Sequence, residues 1–262
     1  MGRGGRVVSG VNHPAKFSRP ILDHIEGVFT EWGWPQRILD PFAGVGRVHS
    51  LTEGRKTVSV GLEIEPEWAN MHPNTIVGNA LNMPFPDNSF DALVTSPCYG
   101  NRLADHHDAQ DGSRRYSYRH VLGRPLHPDN SGQMQWGERY RDFHDQAWTE
   151  CLRVLAPDSI IVVNTSNHIR GGREQYVTEF HSAWFLNHGC AVLDLDCVLT
   201  SRLRHGANWQ ARARYENVFA FRYVAPVLTP DEPEEEIRDS DDAQVGRELA
   251  NHVDTGAGDQ RA

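Results

Sequence analysis

"RILDPFAGVG", residues 37–46, decides how this chain is read. A short apolar run ends at Asp40, and two glycines, Gly44 and Gly46, follow within six residues. The pattern predicts a strand that turns sharply into a helix. Glycine there admits the turn and lets the backbone approach a ligand, while the N–H groups of a helix N-terminus suit a carboxylate or a phosphate. A glycine pair also fits any tight turn. The third glycine of the dinucleotide fingerprint is replaced by His49, which disfavours NAD.

On either side the apolar spacing predicts alternating elements. Ile21, Leu22, Ile25, Val28 and Phe29 recur at helical intervals after Ser18 and Pro20, a candidate capped start. Strands are predicted at "TVSVGLE" (57–63), near "TIVG" (75–78) and at "DALVT" (91–95), with a turn at Pro66. A helix over 139–155 carries Tyr140, Phe143, Ala147, Trp148, Cys151, Leu152 and Leu155 on one face. Then come the strand "SIIVVN" (159–164), a helix over 174–187, the alternating "AVLDLDCVL" (191–199) and the strand "ENVFAFRY" (216–223). Strands alternating with helices predict a doubly wound α/β sheet, closed by an antiparallel pair at its edge.

The net charge of −9 is unevenly spread. Residues 228–262 hold eleven of the 35 acidic and three of the 26 basic residues, which leaves the rest at −1. That acidic, apolar-poor stretch makes 227–262 an expected disordered tail. Residues 1–12 read as a flexible basic arm, and 13–226 as the folded domain. Basic clusters on a neutral body, in residues 1–20 and in "SRLRHGANWQARAR" (201–214), suit a polyanion ligand. No apolar run approaches the roughly 20 residues of a membrane span. The N-terminus lacks a signal-peptide core, so the expected location is the cytoplasm. Cys98, Cys151, Cys190 and Cys197 are scattered, which argues against structural zinc and against a disulfide framework.

The second predicted strand ends in "GLEIEPEW" (61–68). An acid closing that strand is placed to accept hydrogen bonds from ribose hydroxyls, and Glu63 is the candidate, with Ile64 as an apolar surface for an adenine ring. A solvent-facing carboxylate is the other reading.

"HPAKFSRPIL" (13–22), "LDPFAGVG" (39–46), "GLEIEPEWA" (61–69), "GNALNMPFPDNSFDALV" (78–94) and "TSPCYG" (95–100) follow one another in an order that resembles the S-adenosylmethionine-dependent methyltransferases of DNA amino groups. The resemblance covers residues 13–100, and more loosely the elements to 223. It implies a Rossmann-like class I methyltransferase fold: a seven-stranded, mostly parallel sheet with an antiparallel last strand and helices on both faces. It further implies that Phe17 and the Asp40–Gly46 stretch, including Phe42, Gly44 and Gly46, contact the methionine part of S-adenosylmethionine. Glu63 then meets the ribose, and Asn79 and Ala80 meet the adenine edge. Asn79 stands where the family often has Asp.

The family's catalytic motif reads (Asp/Asn/Ser)-Pro-Pro-(Tyr/Phe). By resemblance Ser96 supplies a side-chain oxygen, Pro97 its main-chain carbonyl, and Tyr99 a face that stacks on an extruded base. A serine in the first position resembles the subset acting on N4 of cytosine, favoured here over N6 of adenine. Cys98 replaces the second proline. A Pro-Cys pair also marks enzymes that methylate carbon 5 of cytosine through the thiolate, and "QARAR" (210–214) and "ENV" (216–218) echo two of their motifs. Those echoes are in reversed order and are expected to lie too far along the sheet to meet Cys98. Tyr99 also replaces their glutamine. Cys98 is therefore read as a packing residue.

DNA is the expected partner. The long connection 100–138 interleaves arginine with tyrosine, which suits phosphate contact and base stacking; Arg102, Arg114, Arg115 and Arg119 are the candidates, with Arg124 adding to the positive balance of the stretch, and Arg202, Arg204 and Arg212 are the candidates in the loop 201–214. A solvated loop is the other reading of 100–138. His106 and His107 beside Asp105 and Asp108 suggest a metal, but amino methylation needs none and none is assigned. Other readings are methylation of an RNA base amino group and a catalytically silent binding protein. The sequence leaves the oligomeric state unknown.

Overall fold

A computed structural model describes residues 17–100, 117–200 and 213–224. The expected basic arm (1–12), the acidic tail (227–262), Arg102, Arg114, Arg115, Arg202, Arg204, Arg212 and the His106–His107 pair lie outside the described residues. No helix among the described residues is long and apolar enough to cross a membrane.

One seven-stranded sheet organises the chain. Its strands are β1 (Arg37–Asp40), β2 (Val58–Glu63), β3 (Thr75–Val77), β4 (Phe90–Thr95), β5 (Leu155–Thr165), β8 (Cys190–Leu199) and β9 (Tyr215–Tyr223), in the order β3-β2-β1-β4-β5-β9-β8. The first five pair in parallel. β9 inserts antiparallel between β5 and β8, so the antiparallel last strand is as expected and β8 takes the edge. A separate two-stranded hairpin joins β6 (His168–Arg170) to β7 (Arg173–Gln175).

The period of two along the central strands sorts side chains to two cores. Ala92, Val94, Ile160, Val162, Val218 and Ala220 face one side, packed with Ile21, Leu22, Ile25, Val28 and Phe29 of helix α1 (Arg19–Trp32). Leu93, Ile161, Val163, Phe219 and Phe221 face the other, packed with Tyr140, Phe143, Ala147 and Trp148 of α4 (Glu138–Val154) and Phe185 of α5 (Val177–Asn187). Helices therefore cover both faces, and each fills a separate apolar layer.

Five local expectations change. Ser18 precedes α1 but makes no capping bond, and Pro20 alone presets the first turn. The segment after Gly46 is a 3-10 helix, Arg47–Thr52, rather than an α-helix. Pro66 opens a one-turn helix, α2 (Pro66–Ala69). Residues 173–175 form a strand, because Gly171 and Gly172, at φ of 56° and 72°, turn the chain back on itself before α5 begins. Finally, the alternation of 191–199 does not bury one face. The register shifts between Val192 and Asp194, leaving Leu195 and Leu199 exposed, while Asp194 and Asp196 pair with His24 of α1 at 3.0 and 3.4 Å.

Candidate active site

The strand ends Asp40, Glu63 and Thr95 lie along one edge of the parallel sheet, where open α/β sheets place their ligands. A cavity of about 280 Å³ opens there. Its lining includes Phe17, Asp40, Phe42, Gly44, Glu63, Ile64, Asn79, Ala80, Ser96, Pro97 and Tyr99. Residues nominated from five separate stretches of sequence thus meet around one space.

Gly46 does not line the cavity. It holds the turn: at φ 77° an added Cβ would fall 2.7 Å from the His49 ring and 2.8 Å from His72. His49, the residue that replaces the third fingerprint glycine, is buried and stacked on His72 at 3.9 Å. Its ring nitrogens bond to Ser59 and Thr75, both at 2.8 Å, tying the loop to β2 and β3. Burial first, and then His72, lower its pKa to about 4.

The floor of the cavity holds two buried carboxylates. Asp40 accepts from Thr95 Oγ1 at 2.7 Å and from the Phe42 N–H at 3.1 Å. Glu63 accepts from the N–H groups of Gly44 and Glu65, each at 2.9 Å. Glu63 is 8% exposed, which removes the solvent-facing reading. Desolvation outweighs these bonds and raises each pKa to about 7. Asn79 is held at both ends, giving Nδ2–H to Asp129 at 2.8 Å and accepting from the Leu81 N–H at 3.0 Å.

Ser96 and Tyr99 belong to a polar cluster whose other members sequence reading missed. Ser96 Oγ lies 3.1 Å from Tyr99 Oη. Asn164, near the end of β5, directs Nδ2 to Ser96 Oγ at 3.3 Å, to Tyr99 Oη at 3.2 Å and to Glu216 Oε2 at 2.7 Å. Tyr99 Oη also donates to Glu216 at 3.3 Å. Glu216 sits at the start of β9, so the "ENV" stretch does reach the cavity that Cys98 also lines, contrary to expectation. The strands β5 and β9 are neighbours, and their antiparallel register brings the start of one to the end of the other. The usable signal for Asn164 was a polar residue closing the buried run "SIIVV".

Cys98 packs with Trp68, Tyr118 and Leu126. Its Sγ lies 3.7 Å from Tyr118 Oη, and burial pushes the thiol up to about 11. A thiolate nucleophile needs the opposite shift. The peptide carbonyl of Cys98 is pinned instead: Tyr140 donates to it at 2.5 Å and is 2.9 Å from His181 Nε2. Because Trp148 Nε1–H donates to His181 Nδ1 at 3.0 Å, the proton of the neutral ring sits on Nε2 and points at Tyr140. Burial, the largest cause, keeps His181 well below the ordinary histidine pKa and hence neutral.

The connection after Gly100 is, over its described part, a wall of the cavity. Tyr118 of α3 (Tyr118–Leu122), Asp129, Asn130 and Ser131 line it. The buried Glu65 carboxylate anchors this wall, accepting from Arg124 at 2.7 Å, the His127 N–H at 2.8 Å and Asn130 Nδ2 at 2.9 Å. Arg124 also pairs with Glu67 at 2.5 Å, so it is a strut and not a free phosphate contact. Arg119, on α3, is exposed.

Among the described residues no group of three His, Cys, Asp or Glu could hold a metal ion. The cavity can accommodate a ligand that carries both cationic and hydroxyl groups. Two carboxylates on its floor are held near neutrality by burial, and a cation beside them would favour their ionised forms. Phe17, Ile64 and Trp68 add apolar surface around them.

No protein-family model matches the chain, and no curated protein does. Similar solved structures include the [4+2]-cyclase SpnF, with a TM-score of 0.49 at 16% identity over 78% of this chain and 82% of that one. A SAM-dependent methyltransferase from Aquifex aeolicus aligns at TM-score 0.45 and 15% identity, over 80% and 100% of the two chains. The N-methyltransferase NodS from Bradyrhizobium japonicum aligns at 0.49 and 11%, over 79% and 96%.

Proposed function

We propose that the protein transfers a methyl group from S-adenosylmethionine to the exocyclic amino group of a nucleic-acid base, with DNA as the substrate and N4 of cytosine favoured over N6 of adenine. One observation carries the reading. Ser96, Pro97 and Tyr99 line the same cavity as the buried acids Asp40 and Glu63. Asp40, Phe17 and Phe42 would hold the methionine end, Glu63 the ribose, and Ile64, Asn79 and Ala80 the adenine.

An exocyclic base nitrogen is a weak nucleophile because its lone pair is conjugated into the ring. When bound, S-adenosylmethionine supplies an electrophilic methyl group. The chain's own work is to position the nitrogen and localise its lone pair, which is catalysis by orientation and electrostatics. Ser96 Oγ and the Pro97 carbonyl would accept hydrogen bonds from the two amino hydrogens, and the methylated nitrogen then loses one proton to solvent. Asn164 and Tyr99 hold the serine oxygen from two sides. Tyr99, fixed by Glu216, presents its ring to the base. A base in a duplex must leave the stack to reach this cavity, at a cost of a few kcal/mol that stacking and hydrogen bonds offset.

The test is incubation with labelled S-adenosylmethionine and unmethylated DNA or tRNA, followed by nucleoside mass spectrometry. A methylated amino group in DNA is expected. Label in tRNA alone would move the substrate to RNA, and label in neither would end the reading.

A further inference from the structure

We propose that the β6–β7 hairpin is a phosphate-gripping finger that holds a nucleic-acid backbone beside the cavity; this rests on the nucleic-acid reading above. The hairpin leaves the sheet three residues after Thr165, the last residue of β5, on the edge where Asn164 and Ser96 meet. His168, its first residue, lies beside the Tyr99 backbone. Tyr99 itself lines the cavity, so the hairpin starts beside a cavity residue.

The tip is built against its own electrostatics. Arg170 and Arg173 are directly opposed in the register, across a turn made only of Gly171 and Gly172. Like charges directly opposite one another destabilise a strand pair, and an isolated two-stranded hairpin is marginal in water to begin with. Both arginines are exposed, and neither has an ion-pair partner among the described residues. The nearby acid does not relieve them. Glu174 instead meets Asn167 Nδ2 at 3.2 Å, at the base of the hairpin.

That base is firm. Asn167 Nδ2 also donates to Glu179 Oε2 at 2.9 Å, and its Oδ1 accepts from the Thr178 N–H at 2.9 Å, fastening the hairpin to the start of α5. A rigid stem thus presents two unneutralised guanidinium forks. A phosphate oxygen pair is the ligand that matches the planar, multidentate donor set and removes the repulsion. The glycines leave open space around the tip: no heavy atom lies within 4 Å of an added Cβ at either one, so a backbone can approach closely.

The experiment measures binding of the full chain to a short duplex and to a single strand of the same sequence across a salt series. Wild type, an R170A/R173A variant and an R170K/R173K variant are compared, and S-adenosylmethionine binding is followed in each. If the finger grips phosphate, the alanine variant loses about ten-fold or more in affinity near 0.1 M salt, and its log–log salt slope becomes shallower by about 1 to 2. Cofactor affinity stays unchanged, and the lysine variant recovers most of the slope. An alanine variant with the wild-type slope and affinity would overturn the finger while leaving the nucleic-acid reading intact. A wild-type chain that binds neither polymer would overturn both.

Discussion

Asn164 Nδ2 lies 2.7 Å from Glu216 Oε2, a bond that joins the end of β5 to the start of β9 directly behind Ser96 and Tyr99. Ser96 and Tyr99 are three residues apart in sequence, but the groups that hold them come from strands far along the chain. A hydrogen bond to a charged group contributes about 1.5–3 kcal/mol. Glu216→Ala is therefore expected to lower kcat about ten- to a hundred-fold with little change in cofactor affinity. Glu216→Gln keeps an oxygen for Asn164 and should retain most of the rate. Steady-state kinetics with isothermal titration of the cofactor checks both; equal loss in the two variants would mean that the carboxylate has another task.

The buried acids predict a pH dependence of binding. Asp40 and Glu63 both titrate near 7, above the ordinary carboxylate range because of burial. Their ionised forms are the ones a cationic cofactor stabilises, so affinity should rise as pH rises through about 7, and binding near that pH should release protons. Titrations in buffers of different ionisation enthalpy measure the release.

The same groups bear on folding with the opposite sign. Their folded pKa lies above the unfolded value, so the folded state binds more protons between about 4 and 7. Their contribution to stability is greatest below about 4, declines as pH rises to about 7 and is level above it. Thermal melts of Asp40→Asn, which removes one of the titrating groups, should show a weaker decline over that interval than wild type.

Glu65 and Arg124 predict how the cavity wall is held. The carboxylate is buried and the guanidinium about one-third exposed, at 2.7 Å. Removing one partner of a fully buried pair costs about 3–5 kcal/mol. With the cation partly solvated, Arg124→Ala should cost about 2 kcal/mol by urea unfolding. It should also speed proteolytic cleavage within 117–136, and cofactor protection of that segment should be diminished.

Cys98 distinguishes amino from carbon-5 chemistry. Its thiol is pushed up to about 11 and packs against Tyr118. Cys98→Ala should keep transfer within a few-fold, and wild type should form no covalent adduct with 5-fluorocytosine DNA. Loss of all transfer together with an adduct would restore the thiolate mechanism and give Glu216, in the same cavity, a part in it.

The legible part of the fold was the part governed by local periodicity and turn chemistry. "RILDPFAGVG" declared a strand and its glycine turn, and the apolar runs of β4, β5 and β9 declared a sheet covered on both faces. The cofactor-side nominations rested on strand ends, which the parallel sheet brings to one edge whatever lies between them. Asn164 and Glu216 were opaque because their proximity depends on β9 inserting beside β5, a long-range pairing that no local pattern encodes. The Arg124 ion pairs were hidden for a related reason. An arginine in a basic stretch looks free until Glu65 and Glu67, 57 residues or more upstream, are folded against it. The β6–β7 hairpin was overlooked because three-residue strands carry too little alternation to be distinguished from a helix start.

The most direct test pairs Ser96→Ala and Tyr99→Ala with a transfer assay on unmethylated DNA, read by nucleoside mass spectrometry, and with calorimetric cofactor binding. The account predicts a wild type that yields a methylated base amino group, and two variants that bind S-adenosylmethionine normally yet lose at least about a hundred-fold in transfer, in keeping with the loss of an oriented electrostatic contact. Full transfer by both variants, or a wild-type product methylated on carbon, would contradict it.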